Sequence, residues 1–396
     1  MSSRVLGYGR QSIDRSDIDA VAAVLASDFL TQGPAVERFE AALAECVGAR
    51  YAVAVSSGTA ALHISCLAAG IGPGDVGLTS AITFAASANC LIYAGGEAAF
   101  VDIDGTTLGM SPAALQEALA RRPGVKAIIP VDLAGLAQGS AEIAKLAAGR
   151  IVIEDAAHAL GGTYSSGEPI GSCAYSDATI FSFHPVKLIT TGEGGAVLTN
   201  DPVLARRLRL LRSHGIERDP DSFVGADRRE DGRVKPWLGE QQLLGFNYRM
   251  TDIQAALGLS QLEKLDRFLE RRRAIARRYD EAFGALPHVL LPQSLPQERS
   301  RSGHHLYIVV FDFAALRTTR TAFMGALAER GIGSQVHYMP VYHHPYHAHR
   351  CEIDRGQFPE AERYYRGCLS LPFHPGLTDE EVERVIGAVN ELATNA

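Results

Sequence analysis

The sequence lacks any long, uninterrupted apolar run. Its apolar stretches are broken well before the roughly 20 residues that a membrane-spanning helix needs. Residues 1–4 also lead into no sustained apolar segment of the kind found in secretory signal peptides. We therefore expect no membrane segment, no membrane partner and a cytoplasmic location.

Cysteine is sparse, and its spacing is not that of a metal or redox site. Six cysteines occur in 396 residues without a C-x-x-C pair, which favours reduced, buried side chains over disulfides or ligands. The histidine-rich stretch from Tyr342 to Cys351 matches no helix-borne pair such as H-E-x-x-H, and a proline interrupts it. We expect no metal site and interpret this stretch as a substrate-side loop.

An excess of positive charge is absent as well. The formal net charge is −7, which argues against nucleic acid as the main partner. Gly192-Glu-Gly-Gly195 is not a dinucleotide fingerprint, because it follows a lysine and precedes a strand rather than a helix. The chain has no repeats or low-complexity tracts, and 46% of its residues are hydrophobic, enough for a substantial core.

Short apolar runs alternate with helical patterns through the first 200 residues, which predicts an α/β fold with a mostly parallel sheet covered on both faces. The predicted strands are 52–55, 77–79, 98–101, 127–131, 151–154, 178–183 and 196–199. The predicted helices are 16–26, 35–47, 60–69, 85–94, 112–120, 141–148 and 204–213. Only a Gly-rich segment separates the last two strands, so this pair should be antiparallel.

The second half of the chain has a different pattern. Residues 217–239 are dense in Asp, Arg and Gly and are interpreted as a mobile loop. Residues 251–279 predict a helix or a bent helix pair. A smaller α+β unit then follows, with predicted strands at 305–311 and 332–337 and helices at 319–330 and 379–394. We predict a large domain over residues 1–263 and a small C-terminal domain over residues 264–396.

The run from Phe181 to Gly195 places one lysine, Lys187, among apolar and hydroxyl-bearing residues. An ammonium is strongly hydrated, so a lysine in such surroundings should have a depressed pKa or a covalent partner. A neutral amine there is a nucleophile toward carbonyls, as in the attachment of pyridoxal phosphate (PLP) to lysine. The alternative is a lysine at a strand edge with its ammonium in water.

Two upstream features match the same chemistry. Asp155 ends an apolar strand, where a carboxylate faces the crevice in which open α/β sheets bind ligands. PLP enzymes need such a carboxylate to keep the pyridine nitrogen protonated. Residues 51–63 predict a strand, a turn and a helix start whose amides would face a phosphate, with Gly58 and Thr59 as contacts. The alternative for Thr59 is a helix cap.

Four motifs together carry a resemblance to a known family. They are S-S-G-T-A-A-L, E-D-A-A-H, F-S-F-H-P-V-K and G-F-N-Y-R-M-T-D-I-Q-A-A-L-G. In this order they resemble the DegT/DnrJ/EryC1/StrS sugar aminotransferases, and the match runs from about Tyr8 to the C-terminus. The resemblance implies PLP fold type I (aspartate aminotransferase-like), with a large mostly parallel, mixed sheet domain and a smaller C-terminal α+β domain. It also implies a homodimer with shared active sites.

The resemblance also implies roles for individual residues. Lys187 would hold PLP and act as general base and acid, while Asp155 would sustain the electron sink. Ser182 would meet the phosphate, Phe84 would stack on the ring, and His158 would lie near the phenolic oxygen or the aspartate. For Phe84 and His158 the alternative is a core position.

Further positions are implied for the substrate and for the second subunit. Asn247 would reach the phosphate in the partner subunit, and Arg249 is a candidate for a substrate or donor carboxylate, with a surface ion pair as its alternative. The sugar nucleotide would contact Tyr8, Thr31, Gln32, Gly33, His337 and Tyr338.

Three pieces, Y-G-R-Q-S, L-T-Q-G-P and Q-V-H-Y-M-P, most resemble the pseudaminic-acid pathway transaminases, which act on a UDP-4-keto-6-deoxy-N-acetylhexosamine. The predicted function is transfer of the glutamate amino group to such a sugar, with dTDP- or GDP-linked sugars as alternatives. Asp132, where the family usually shows histidine, Phe29, where it often shows tryptophan, and the Ser80-Ala81 pair, where proline is frequent, leave the particular sugar open.

Three other functions fit the sequence less well. A sugar dehydratase of the same fold has histidine in place of the lysine, so Lys187 argues against it. An NAD-dependent oxidoreductase would need the missing fingerprint. A non-catalytic sensor has less need to keep Lys187, Asp155 and Ser182 together.

Overall fold

A seven-stranded mixed sheet forms the centre of the larger part of the molecule. The computed structural model describes residues 5–225, 229–350 and 354–394. The strands of the large sheet are β1 (Tyr51–Val55), β2 (Val76–Ser80), β3 (Glu97–Val101), β4 (Val125–Ile129), β5 (Ile151–Asp155), β6 (Ala178–Ser182) and β7 (Gly195–Thr199). Their order is β1-β7-β6-β5-β4-β2-β3, and only β7 runs antiparallel to its neighbours. The predicted mostly parallel sheet and its antiparallel final pair are confirmed.

Helices cover both faces of this sheet because strand residues alternate between two cores. Ala52 and Ala54 pack in one apolar cluster with Phe39, whereas Val53 and Val55 pack in another. The helices of this part are α1 (Arg15–Leu25), α2 (Pro34–Val47), α3 (Gly58–Ala68), α4 (Ala86–Tyr93), α5 (Pro112–Arg121), α6 (Ser140–Leu146) and α7 (Pro202–Arg212). Each lies within a few residues of a predicted helix.

The charged segment after α7, interpreted from the sequence as a mobile loop, forms two short strand pairs. The outer pair joins β8 (Ile216–Glu217) to β11 (Glu240–Gln241), and the inner pair joins β9 (Arg229–Glu230) to β10 (Arg233–Val234). Asp231 and Gly232, at the tip of the inner pair, have φ values of 49° and 77°. Two successive positive φ angles are those of a type I′ hairpin turn, for which Asp-Gly is a favoured sequence.

A helix pair, α8 (Asp252–Leu262) and α9 (Leu265–Phe283), follows as predicted. The first turns of α9 pack against the large sheet's core through Phe268, and its last turns enter the C-terminal core through Tyr279. Leu6, near the N-terminus, also packs in that C-terminal core. The domain division at residues 263 and 264 stays a prediction.

The C-terminal part is built on a three-stranded antiparallel sheet in the order β12-β13-β14. Its elements are β12 (Val289–Leu290), α10 (Pro296–Arg301), β13 (Tyr307–Phe311), α11 (Arg320–Glu329), α12 (Pro345–Ala348), α13 (Pro359–Gly367), β14 (Cys368–Leu371) and α14 (Asp379–Thr394). The predicted strand at 332–337 was wrong, because this segment makes only isolated bridges, from Ile332 to Leu6 and from Gln335 to Ser370. The third strand is the buried run 368–371.

No helix within the described ranges is both long and apolar enough to cross a membrane. The cytoplasmic location stays a prediction.

Candidate active site

A cleft of about 660 Å³ opens at the carboxyl ends of the parallel strands. This edge is where open α/β sheets bind ligands, because loops from successive strands converge there. Ten of the predicted site residues line it: Tyr8, Gly58, Thr59, Phe84, Asp155, His158, Ser182, Lys187, His337 and Tyr338. Strand ends supply Asp155 and Ser182, and the segment before α12 supplies His337 and Tyr338.

Lys187 lies in the compact connection between β6 and β7. Phe183 N–H donates to the Gly194 carbonyl at 2.9 Å, and Lys187 N–H donates to the His184 carbonyl at 2.8 Å. Burial lowers the pKa of the Lys187 amine to about 8, although the Asp155 carboxylate opposes the shift. The lowered pKa leaves more of the amine uncharged and nucleophilic near neutral pH than in an exposed lysine.

Asp155 is a buried carboxylate with two hydrogen-bond donors. Ser87 Oγ donates to Asp155 Oδ2 at 2.6 Å, and Ala157 N–H donates to Oδ1 at 3.2 Å. Thr83 Oγ1 lies 2.7 Å from Ser87 Oγ. Because Ser87 gives its proton to the carboxylate, Thr83 supplies the proton of that second bond.

Burial raises the pKa of Asp155, while the Ser87 bond, the Ala157 bond and the Lys187 charge act against that rise. The sequence analysis missed Thr83 and Ser87. Their only signal was two hydroxyl side chains four residues apart at a helix start, and that spacing is common in ordinary helix caps.

The turn between β1 and α3 brings the start of a helix to the cleft. Ser57 caps α3, because its side chain accepts from Ala60 N–H at 3.0 Å. The cap is therefore not Thr59, which leaves the Thr59 hydroxyl facing the cleft. A Cβ on Gly58 would lie 3.0 Å from Ser182 Cβ. Glycine at this position lets the helix start approach Ser182 closely.

Several aromatic side chains also line the cleft. The Phe84 ring is 59% exposed and lies 6.1 Å from the Tyr338 ring, so it is not a core residue. The Tyr8 and His337 rings are 4.9 Å apart. His158 is buried next to Tyr338 at the cleft. Its Nδ1 accepts from Ala134 N–H at 3.3 Å, and its Nε2 lies 3.3 Å from the Tyr338 hydroxyl.

The segment from Thr31 to Gly33 does not line the cleft of its own chain. Thr31 and Gln32 are exposed, and Thr31 forms a bridge with Thr251. Gly33 N–H donates to Asp252 Oδ2 at 2.8 Å, which attaches this segment to the start of α8. These contacts place the segment on the outer surface beside the helix pair.

Asn247 and Arg249 also lie outside the cleft lining. Asn247 is exposed, and its backbone pairs with Ser213. Arg249 pairs with Val55 through its backbone, and its Nη1 donates to Ser213 Oγ at 3.1 Å. The Arg249 Nε is buried and has no hydrogen-bond partner within the described part of the chain.

The histidine-rich stretch binds other side chains. His343 Nε2 lies 2.7 Å from Glu362 Oε1, His347 Nε2 lies 3.0 Å from Asn89 Oδ1, and His344 lines the cleft. Within residues 5–225, 229–350 and 354–394, no cluster of His, Cys, Asp and Glu is arranged to hold a metal ion. Cys351, part of the original pattern, lies outside the described residues.

Known proteins are similar to this chain in both sequence and architecture. Residues 11–390 match the DegT/DnrJ/EryC1/StrS aminotransferase family. The spore coat polysaccharide biosynthesis protein SpsC of Bacillus subtilis (strain 168) is 39% identical over 394 residues, 99% of this chain and 98% of SpsC.

Two solved structures extend the likeness to three dimensions. Helicobacter pylori PseC, an aminotransferase involved in the biosynthesis of pseudaminic acid, is 30% identical with a TM-score of 0.88, covering 99% of this chain and 100% of PseC. Spr1654 of Streptococcus pneumoniae, solved in its PLP form, is 29% identical with a TM-score of 0.87, covering 99% of each chain.

The residues of the cleft fit PLP. A lysine with a lowered pKa, a buried carboxylate at a strand end and a glycine-led helix start beside Ser182 supply a nucleophile, a partner for a pyridinium and a phosphate cradle. The predicted fold, enzyme class and cofactor are confirmed. The chain belongs to the DegT/DnrJ/EryC1/StrS aminotransferase family and is a PLP-dependent aminotransferase of fold type I.

Proposed function

We propose that this aminotransferase moves the amino group of L-glutamate onto a nucleotide-linked 4-keto-6-deoxy sugar. A UDP-linked N-acetylhexosamine is the proposed substrate, and a surface polysaccharide or another glycan is the proposed destination of the amino sugar. The observation that carries the proposal is the cleft of about 660 Å³ that is lined by Lys187 and Asp155 together with several aromatic side chains. The likeness to PseC and SpsC, whose names concern pseudaminic acid and spore coat polysaccharide, supports the choice of a sugar.

When bound, PLP supplies an electron sink for the carbanion formed at the donor's α-carbon. In the proposed mechanism the Lys187 amine removes the proton from that carbon and later returns a proton on the sugar side. Asp155 Oδ2 would hold the proton of the pyridine nitrogen, since the carboxylate is buried and oriented by Ser87. Gly58, Thr59 and Ser182 would bind the phosphate through an amide and two hydroxyls.

The predicted site residues that lie outside the cleft suggest a second subunit in this proposal. They are Thr31, Gln32, Gly33, Asn247 and Arg249. Asn247, Thr31 and Gln32 are exposed, and exposed apolar side chains lie near them in the sequence. Leu30 is 48% exposed and Leu244 is 82% exposed. Burial of such side chains favours association. We propose a homodimer in which Asn247 reaches the cofactor phosphate in the partner's cleft, so that both copies complete each site.

The substrate is tested with glutamate and a matched panel of UDP-, dTDP- and GDP-linked 4-keto sugars. Formation of 2-oxoglutarate and of the amino sugar is followed for each member. We expect the UDP-linked N-acetyl sugar to give the highest kcat/KM. Preference for a dTDP- or GDP-linked sugar would contradict the proposed nucleotide and leave the sugar class standing. Amination of no sugar in the panel would contradict the class.

A further inference from the structure

His158 is buried between two hydrogen-bond partners that are not equivalent. The Ala134 N–H donates to Nδ1 at 3.3 Å, and the hydroxyl of Tyr338 lies 3.3 Å from Nε2. A backbone amide can only donate, so Nδ1 must carry a lone pair. The imidazole is therefore in the tautomer that has its proton on Nε2.

Burial and the neighbouring positive groups favour the neutral form of the imidazole. Burial lowers the pKa of His158 well below its usual range, and the charges of Lys187 and His337 act in the same direction. The His305 ring lies 4.3 Å away, and burial lowers its pKa too. A second proton on Nδ1 would also face the Ala134 N–H.

The tautomer of His158 determines the direction in which the Tyr338 hydroxyl points its proton. The Nε2–H of His158 donates to the Tyr338 oxygen, so the hydroxyl proton of Tyr338 is directed away from the imidazole. Burial and the nearby Asp155 charge raise the pKa of Tyr338, which keeps the phenol protonated. Tyr338 lines the cleft together with Lys187. Its hydroxyl proton is thus available to an acceptor in the cleft.

We propose that His158 is a positioning residue that makes Tyr338 a hydrogen-bond donor to the keto oxygen of the sugar substrate. This inference rests on the proposed function. A neutral phenol suits a neutral carbonyl oxygen, whereas a phosphate is better matched by a cation. A donor on the keto oxygen would also polarise the carbon that receives nitrogen, by the logic of an oxyanion site.

The tautomer is measured directly by NMR of the holoenzyme with ¹⁵N-labelled imidazoles. The chain has 13 histidines, and loss of one signal in His158→Gln assigns His158. We expect a proton on Nε2, none on Nδ1, and no second protonation between pH 8 and pH 6. A proton on Nδ1, or a charged ring at pH 7, would overturn the proposed hydrogen bond whatever the substrate is.

Kinetics test the role in the reaction by separating the two half-reactions. Tyr338→Phe should lower kcat/KM for the keto sugar by about tenfold, the effect of one lost hydrogen bond, and change the glutamate half-reaction less than about twofold. His158→Asn keeps an oxygen near Nδ1 for Ala134 but cannot reach Tyr338, so it should cause the same loss. His158→Gln places its amide nitrogen near Nε2 and should restore most of the activity.

Double-mutant cycles distinguish a positioning role of His158 from a general loss of active-site structure. In a Tyr338→Phe background, His158→Asn should have no further effect, whereas in a Tyr8→Phe background it should keep its full effect. Equal effects in both backgrounds, or equal losses in both half-reactions, would refute the positioning role. If the wild-type enzyme aminates none of the keto sugars, the proposed function and the keto-oxygen contact both fail, while the NMR result still decides the tautomer.

Discussion

At the scale of single residues, the charge of Asp155 depends on the hydroxyl groups of Ser87 and Thr83, whose role no sequence motif indicates. The carboxylate is 6% exposed, so desolvation favours its protonated form. Ser87 Oγ donates to it at 2.6 Å and is itself contacted by Thr83 Oγ1 at 2.7 Å. This chain of donors stabilises the ionised form that a protonated pyridine nitrogen requires.

Ser87→Ala should slow the glutamate half-reaction by about 10- to 100-fold, the range for a lost hydrogen bond to a charged group. The direction of the expected shift in the pH–rate profile follows from the pKa of Asp155. Without the Ser87 donor the pKa of Asp155 rises further, so the ionised form is lost at a higher pH as the pH falls. The acidic limb of the rate profile should therefore move to higher pH, as measured by single-turnover absorbance.

Ser80→Ala is the matched control for this prediction. Ser80 Oγ is also buried near the end of a strand, but it has no hydrogen-bond partner within the described residues. Its removal should leave the acidic limb in place. An unshifted limb in Ser87→Ala would show that this hydroxyl does not control the ionisation of Asp155.

At the scale of elements, the start of α3 and the end of β6 lie close together, and we propose that they bind the cofactor phosphate as one unit. A Cβ added to Gly58 would lie 3.0 Å from Ser182 Cβ and 3.2 Å from Ser182 Oγ. Both distances are short for side-chain packing, so the helix start and the strand end would have to separate. The amide and hydroxyl donors would then no longer converge on one anion.

Gly58→Ala should weaken PLP binding by about 10- to 100-fold, because charge-assisted bonds to phosphate are among the stronger hydrogen bonds. The dissociation constant is measured by titrating the apoenzyme with PLP and following protein fluorescence. Gly72→Ala is the control, since a Cβ there meets nothing within 4 Å. Wild-type affinity in Gly58→Ala would contradict the close-approach argument.

The sequence predicted the large sheet well because each strand is a short apolar run between clear breaks. It failed where pairing depends on distant partners. Residues 332–337 have a strand-like pattern, yet the central strand of the small sheet pairs with 368–371 instead. The Asp231-Gly232 turn was a local signal for a hairpin that the high charge of the segment concealed.

The location of Lys187 and Asp155 in the cleft was predictable because each residue lies in a segment with a clear local pattern. Contacts between segments were not. The bond from Ser87 to Asp155 and the contact between His158 and Tyr338 join residues far apart in sequence. No rule based on sequence spacing predicts a contact between residues so far apart in the chain.

At the scale of the whole molecule, one chain does not bring together every residue that the family resemblance implies. Lys187 lines the cleft, whereas Asn247 lies on the exposed surface beside the charged hairpins. A twofold dimer would bring Asn247 of one copy to the cleft of the other and make both sites equivalent.

Mixing two inactive variants tests the shared site. Lys187→Ala and Asn247→Ala should each be nearly inactive. If the two are unfolded together and refolded, half of the dimers are mixed, and each mixed dimer has one intact site, so activity should recover to about a quarter of wild type. Each variant refolded alone is the control. If both residues act within one chain, every site carries a lesion and no activity returns.

The most direct test of the central claim, that Lys187 carries PLP, is the position of the label after borohydride reduction of the holoenzyme. The chain has only five lysines. Lys126 and Lys264 form ion pairs with Asp75 and Asp14 at 2.8 and 2.6 Å, whereas Lys187 is buried and its pKa is lowered to about 8. Peptide mass spectrometry should find the pyridoxyl group on Lys187 alone, and the visible absorbance band should disappear on reduction. A pyridoxyl group on any other lysine, or none on Lys187, would contradict this account of the active site.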